Sequence, residues 1–147
     1  MLEEVHIAFT GPSQRCVNDS MMLRALLTEI HLEFGSSAVI RTGACIGTDA
    51  LVARIATRQQ LHVFTIVPAY RGKVDVEWQQ WCASYHEMLE ETSFRDRNTY
   101  MVQGADYVFA CFRNRSPEAL QTGEGMTYRI AQRMGIPTIC VYFNESE

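Results

Sequence analysis

Several features that make a function easy to read are missing from this 147-residue chain. Its five cysteines, Cys16, Cys45, Cys82, Cys111 and Cys140, form no C-x-x-C pair. Their odd number and wide spacing suit reduced thiols rather than a disulfide framework. His6, His31, His62 and His86 fall at no metal-ligand spacing with cysteines or acids, so neither a metal nor a cofactor is expected. No apolar run approaches the ~20 residues of a membrane span, and the N-terminus has no charged-then-apolar signal pattern. A soluble cytoplasmic protein is the expectation. Positive charge is not in excess: 13 Lys and Arg stand against 17 Asp and Glu, a net charge of −4. That balance argues against a surface that coats nucleic acid and leaves small anionic ligands open. There is no G-x-S-x-G elbow, no G-x-x-x-x-G-K-[ST] loop and no complete G-x-G-x-x-G fingerprint, which removes the easy enzyme and nucleotide-binding assignments.

What is present is an ordinary globular composition, 47% hydrophobic and 20% charged, in a chain of one-domain length. Apolar strand-like runs alternate with amphipathic ones. VHIAFT at 5–10 reads as a strand. A helix follows, capped by Asn18 or Asp19, with Met22, Leu23, Leu26, Leu27, Ile30 and Leu32 on its apolar face and Gly35 as its stop. A strand at 38–41 leads through TGACIGTD into a helix over about 48–60, and LHVFTIV at 61–67 is a third strand ended by Pro68. From 68 to 92 the rhythm breaks: a polar loop precedes Trp78, Trp81, Cys82, Tyr85, Met88 and Leu89 at helical spacing. This predicts a helical or flap-like elaboration, and the 78–89 helix is the expected face of a homo-oligomer. Strands at 105–112 and 136–143 flank a last helix near 125–134. Five strands alternating with helices predict a three-layer, Rossmann-like α/β domain with a mainly parallel sheet, spanning residues 1–147 as a single unit.

Such sheets bind ligands beyond the carboxyl ends of their strands. In TGACIGTD, Gly43 permits a positive φ or a close ligand, Ala44 adds no bulk, and Gly47 precedes a helix that Thr48 or Asp49 caps. A small-residue turn that opens a helix suits an anion, and it also suits a purely structural turn. TGPS at 10–13 and TGEGMT at 122–127 repeat the pattern, bringing in Thr10, Gly11, Ser13, Gly123, Glu124, Gly125 and Thr127. Arg95, Arg97 and Asn98 head a further segment, and arginine is the side chain best matched to phosphate. Tyr70, Arg71 and Lys73 sit on the flap-like loop, where the two cations are placed to close over the same ligand.

Taken in order, these segments resemble the SLOG superfamily of Rossmann-like domains, which joins DprA-like DNA-processing proteins, LOG-type hydrolases and ligand-sensing domains. IAFTGPSQ is similar to the family's first strand and turn, and VIRTGACIGTDALVARIA to its GGAxGxDxxAxxxA. RNTYMVQGADYVFACF resembles RNxxMvxxaDxvia, and TGEGMTYRIAQRMGIPTICVY resembles sGTxxtxxxAxxxGiPvxxi. The resemblance implies a nucleotide-type ligand. Gly11, Ser13, Gly43, Ala44 and Gly47 then form the phosphate side, Arg71 and Arg97 neutralise charge, and Asp49, Asn98, Glu124 and Thr127 fix ribose or base. It also exposes a departure. LOG-type hydrolases carry a catalytic Glu three positions after a Thr, and here the Thr position is Glu124 and the Glu position is Thr127. The resulting expectation is non-catalytic binding, for sensing or sequestration, of a nucleotide or NAD-derived ligand of the ADP-ribose type. The alternative is an N-glycosidic-bond hydrolase using Glu124 and Arg97.

Overall fold

The computed structural model describes residues 3–13, 19–113 and 122–143. These residues form six strands and four α-helices in the order β1 (Val5–Thr10), α1 (Asp19–Phe34), β2 (Ala38–Thr42), α2 (Thr48–Arg58), β3 (His62–Val67), β4 (Ser84–Glu87), α3 (Phe94–Gln103), β5 (Tyr107–Phe112), α4 (Gly123–Arg133) and β6 (Thr138–Tyr142). The strands form one sheet in the order β4-β3-β2-β1-β5-β6, and every neighbouring pair is parallel.

A parallel sheet must be covered on both faces, and the alternation of side chains along β1 shows how. Ile7 and Phe9 point into a cluster with Leu23, Leu27 and Ile30 of α1 and Val52, Ile55 and Ala56 of α2. Ala8, between them, joins Met101 and Val102 of α3 and Ile130 and Ala131 of α4 on the opposite face. The expected α/β three-layer class therefore holds. Connections run outward from β1 through β2 and β3 to β4, then return to the other side for β5 and β6. The reversal lies between β1 and β5, so the ends of β1, β2 and β5 open onto one crevice.

The sheet has six strands rather than five, and the difference arises in the 68–92 segment. The spacing of Trp78, Trp81, Tyr85 and Leu89 predicts a helix, whereas a short 3-10 turn, Trp78–Trp81, is followed by β4 at the sheet edge. Each aromatic satisfies a different local neighbour instead of one helical face. Trp81 lies against the guanidinium groups of Arg54 and Arg58, at 5.8 and 5.3 Å, and Trp78 meets the edge of Tyr85. The Ala83 amide donates to the Val63 carbonyl, which feeds the chain alongside β3. No Trp78–Leu89 helix exists to serve as an oligomer face. The cap of α2 also differs from expectation: Gly47, not Thr48 or Asp49, is the N-cap residue.

Candidate functional site

The crevice holds a cavity of about 260 Å³. β1 and its turn supply Thr10, Gly11 and Ser13. The β2–α2 turn contributes Cys45, Ile46 and Asp49, the 68–92 segment Lys73, the start of α3 Phe94, Arg97 and Asn98, and the start of α4 Gly123, Glu124 and Met126. Nine of the residues singled out from the sequence thus meet in one place: Thr10, Gly11, Ser13, Asp49, Lys73, Arg97, Asn98, Gly123 and Glu124.

Arg95 and seven others do not line it. Gly43 and Ala44 are buried beneath the floor. Ala44 rather than Gly43 adopts the left-handed conformation, with φ of 67°. Gly47, with φ of 91°, lets the first turn pack onto it, since a Cβ there would collide with backbone of Pro12 and Ser13. Tyr70 is exposed and meets the edge of Phe94, and Arg71 is an exposed partner of Glu87 at 2.6 Å. Gly125 is buried in the first turn of α4, its amide donating to the Thr122 hydroxyl. Thr127 is fully buried, and its hydroxyl donates to the Gly123 carbonyl rather than into the cavity.

The turn at 43–48 offers less bare backbone than its composition suggests. The Thr48 amide and hydroxyl both donate to the Pro12 carbonyl, at 3.0 and 3.1 Å. The Cys45 amide donates to Asp49 Oδ2 at 3.3 Å. Ile46 N–H donates to the Lys73 carbonyl, and the Asp75 N–H to the Ala44 carbonyl, around an antiparallel bridge between Cys45 and Val74. The 68–92 segment is stitched to the floor by these bonds, which carry Lys73 to the cavity wall. At α4 the situation is reversed. Thr122 caps the helix through the Gly125 amide, and the amides of Gly123 and Glu124 have no hydrogen-bond acceptor among the described residues.

Arg97 is the buried cation of the site. Its Nη1 donates to the Gly43 carbonyl and lies 3.7 Å from Asp49 Oδ2, and its Nε donates to Asn98 Oδ1 at 2.9 Å. The guanidinium sits 5.6 Å from the Phe94 ring centre. Asn98 in turn reaches the Met126 sulfur at 3.7 Å, which ties α3 to α4. Burial pushes the Asp49 carboxyl above its usual value; Arg97 and the Cys45 amide oppose that shift and nearby Glu124 adds to it. Burial likewise raises the Cys45 thiol to about 11, with Asp49 contributing and Arg97 opposing. A thiol so placed is a weak nucleophile at neutral pH. Glu124 is only 8% exposed, and it accepts no hydrogen bond and makes no ion pair among the described residues. Lys73 likewise has no ion-pair partner among them.

Cys45, Ile46, Phe94 and Met126 were not foreseen as lining residues. For Phe94 a signal existed: Ser93 and Asp96 form a reciprocal capping box, which fixes Phe94 as the first helical residue at a strand-end crevice. The other three carry no polar or glycine signature that separates them from core.

This combination of parallel sheet, strand-end crevice and glycine-opened helices is a Rossmann-like fold, and proteins of known structure share it. DNA processing protein A from Streptococcus pneumoniae superposes with a TM-score of 0.76 at 12% identity, over 98% of this chain and 52% of its own. The Helicobacter pylori protein of that name, described by its single-stranded DNA binding mode, gives 0.70 at 18% identity, over 99% and 68%. The molybdenum cofactor carrier protein MCP from Chlamydomonas reinhardtii gives 0.65 at 12% identity, over 94% and 76%. The chain spans about half the length of the S. pneumoniae protein. No protein-family profile and no curated protein sequence matches it.

Proposed function

We propose that the crevice binds a nucleotide or NAD-derived ligand of the ADP-ribose type and holds it without turnover, as a sensing or sequestering site. One observation carries this reading: a single cavity joins two cations, Lys73 and Arg97, and two helix amides that meet no acceptor among the described residues with the buried side chain of Glu124. The cations and amides match phosphoryl oxygens, and the carboxylate matches hydroxyl or amine donors. Phe94, Ile46 and Met126 offer apolar surface to a base. About 260 Å³ is small for such a site and accommodates one nucleoside-phosphate unit, so the remainder of a longer ligand lies across the mouth. The first turn of α1 is less suited to a pyrophosphate, because its own Asp19 already occupies Arg113 at 2.9 and 2.8 Å. Absence of turnover fits Thr127, whose hydroxyl is spent inside α4.

Titration calorimetry with AMP, ADP-ribose, its cyclic forms and cyclic dinucleotides tests the reading, which fails if folded protein binds none of them. Single-stranded oligonucleotides belong in the same panel. Net charge alone argues against nucleic acid, yet a protein of this fold is described by its binding of single-stranded DNA.

A second reading, N-glycosidic hydrolysis, draws on the same Glu124. A buried carboxyl without a partner is the kind of group that serves as a general acid or nucleophile. Incubation with nucleoside monophosphates followed by mass analysis separates the two: release of free base that Glu124→Gln abolishes favours hydrolysis, and intact recovery of ligand favours binding.

A further inference from the structure

We infer that Glu124 makes this pocket select ribose over 2′-deoxyribose by accepting hydrogen bonds from the vicinal sugar hydroxyls; the inference rests on the nucleotide reading above. The cavity contains two buried carboxylates, and they are not equivalent. Asp49 is already engaged, by the Cys45 amide and by Arg97 at 3.7 Å. Glu124, 8% exposed, is engaged by nothing among the described residues. Its oxygens are not among the buried polar atoms left without a partner and face the cavity instead, so a ligand that fills the cavity strips solvent from them: one that brings donors gains and one that does not is penalised.

The identity of those donors follows from reach. The open amides of Gly123 and Glu124 lie at the N-terminus of α4, where the helix dipole favours an anion, and Lys73 lines the same cavity. The Glu124 carboxylate hangs from the residue that supplies one of those amides, so its donors lie close to the anionic group. In a 5′-nucleotide the group one methylene away from the phosphate is the sugar, and the hydrogen-bonding edge of the base is much farther off. A carboxylate beside a phosphoryl site is therefore matched to the 2′- and 3′-hydroxyls, which both donate, and a 2′-deoxy sugar offers only one. The same geometry disfavours a DNA strand in this cavity.

The experiment compares AMP with 2′-deoxy-AMP and 3′-deoxy-AMP by titration calorimetry, on the wild-type chain, Glu124→Gln and Glu124→Ala, each checked for folding by circular dichroism. Wild type is expected to prefer AMP over 2′-deoxy-AMP by on the order of 10- to 100-fold, and the preference should shrink to within about 3-fold in Glu124→Ala, where 2′-deoxy-AMP, which keeps one donor, loses less affinity than AMP. Glu124→Gln, which keeps one acceptor oxygen, should fall between. Equal wild-type affinities for AMP and 2′-deoxy-AMP overturn the inference and leave the nucleotide reading standing. Binding of neither overturns both.

Discussion

A methyl group at position 43 would occupy the space now held by the Arg97 guanidinium and would press on Asp49 as well. The residue pattern marked Gly43 as a site for a positive φ or a close ligand; what needs the space is an arginine arriving from a helix more than 50 residues away in sequence. Gly43→Ala should therefore destabilise the protein by about 1–3 kcal/mol, the usual cost of overpacking, and should also weaken nucleotide binding because Arg97 is displaced. Urea denaturation and calorimetry on the same variant check both effects. Asp49 gives a pH test. Its carboxyl is raised above the ordinary value of 3.8, so the native state holds that proton more tightly than the unfolded chain. The penalty for ionising it is absent below about pH 3.8 and grows as pH rises through the raised native value. Measured as a difference in Tm, Asp49→Asn should thus compare progressively better with wild type as pH increases over that window. Cys45, raised to about 11, should react with iodoacetamide slowly at pH 7.5, with a rate that climbs about tenfold per pH unit toward that value.

At the scale of elements, α3 carries three lining residues, Phe94, Arg97 and Asn98, and its position depends on the Ser93–Asp96 capping box. Removing the hydroxyl with Ser93→Ala should cost about 1 kcal/mol in denaturation and loosen the end of the helix that faces the cavity, which raises the ligand Kd without touching a lining side chain. The glycine-opened turns were readable as strand-to-helix junctions because glycine, threonine and small residues are concentrated there. Which of them keeps its amides free was not readable. The α2 turn is closed by the Pro12 carbonyl and the Asp49 carboxylate, contributed from outside or beyond the turn itself, while the Gly123 and Glu124 amides of the α4 turn meet no acceptor among the described residues. Local composition is nearly the same in both, and only tertiary docking separates them. The aromatic spacing at 78–89 misled for a related reason. A period near 3.6 signals a helix when one face is buried against one surface. Here Trp81 meets Arg54 and Arg58 while Tyr85 lies in an edge strand, so the spacing has no common face behind it.

For the whole molecule, the alternation of apolar runs was sufficient to identify a parallel three-layer sheet, since buried parallel strands read as near-continuous hydrophobic segments such as VHIAFT. The edge strand β4, Ser84–Glu87, escaped notice because its burial alternates and its sequence, SYHE, is polar. Net charge sets a further expectation. With −4 overall and, among the described residues, two cations, Lys73 and Arg97, lining the cavity, nucleotide affinity should fall less than about 10-fold between 50 and 200 mM salt, far short of the steep loss expected of a protein that neutralises many phosphates. A steep loss measured with any ligand would identify a polyanion contacting a wider surface.

The placement of the two tryptophans has a spectroscopic consequence. Trp78 and Trp81 are the chain's only tryptophans, and both belong to the segment stitched to the cavity floor, with Trp81 packed against the larger cluster of buried core residues. Both also border a narrow space shared with Ala44 and Asp49. Intrinsic fluorescence therefore watches the attached segment and its contact with the floor and core, whereas far-ultraviolet dichroism watches the helices. Comparing the two signals during denaturation would resolve detachment of that segment from collapse of the sheet, with no label added.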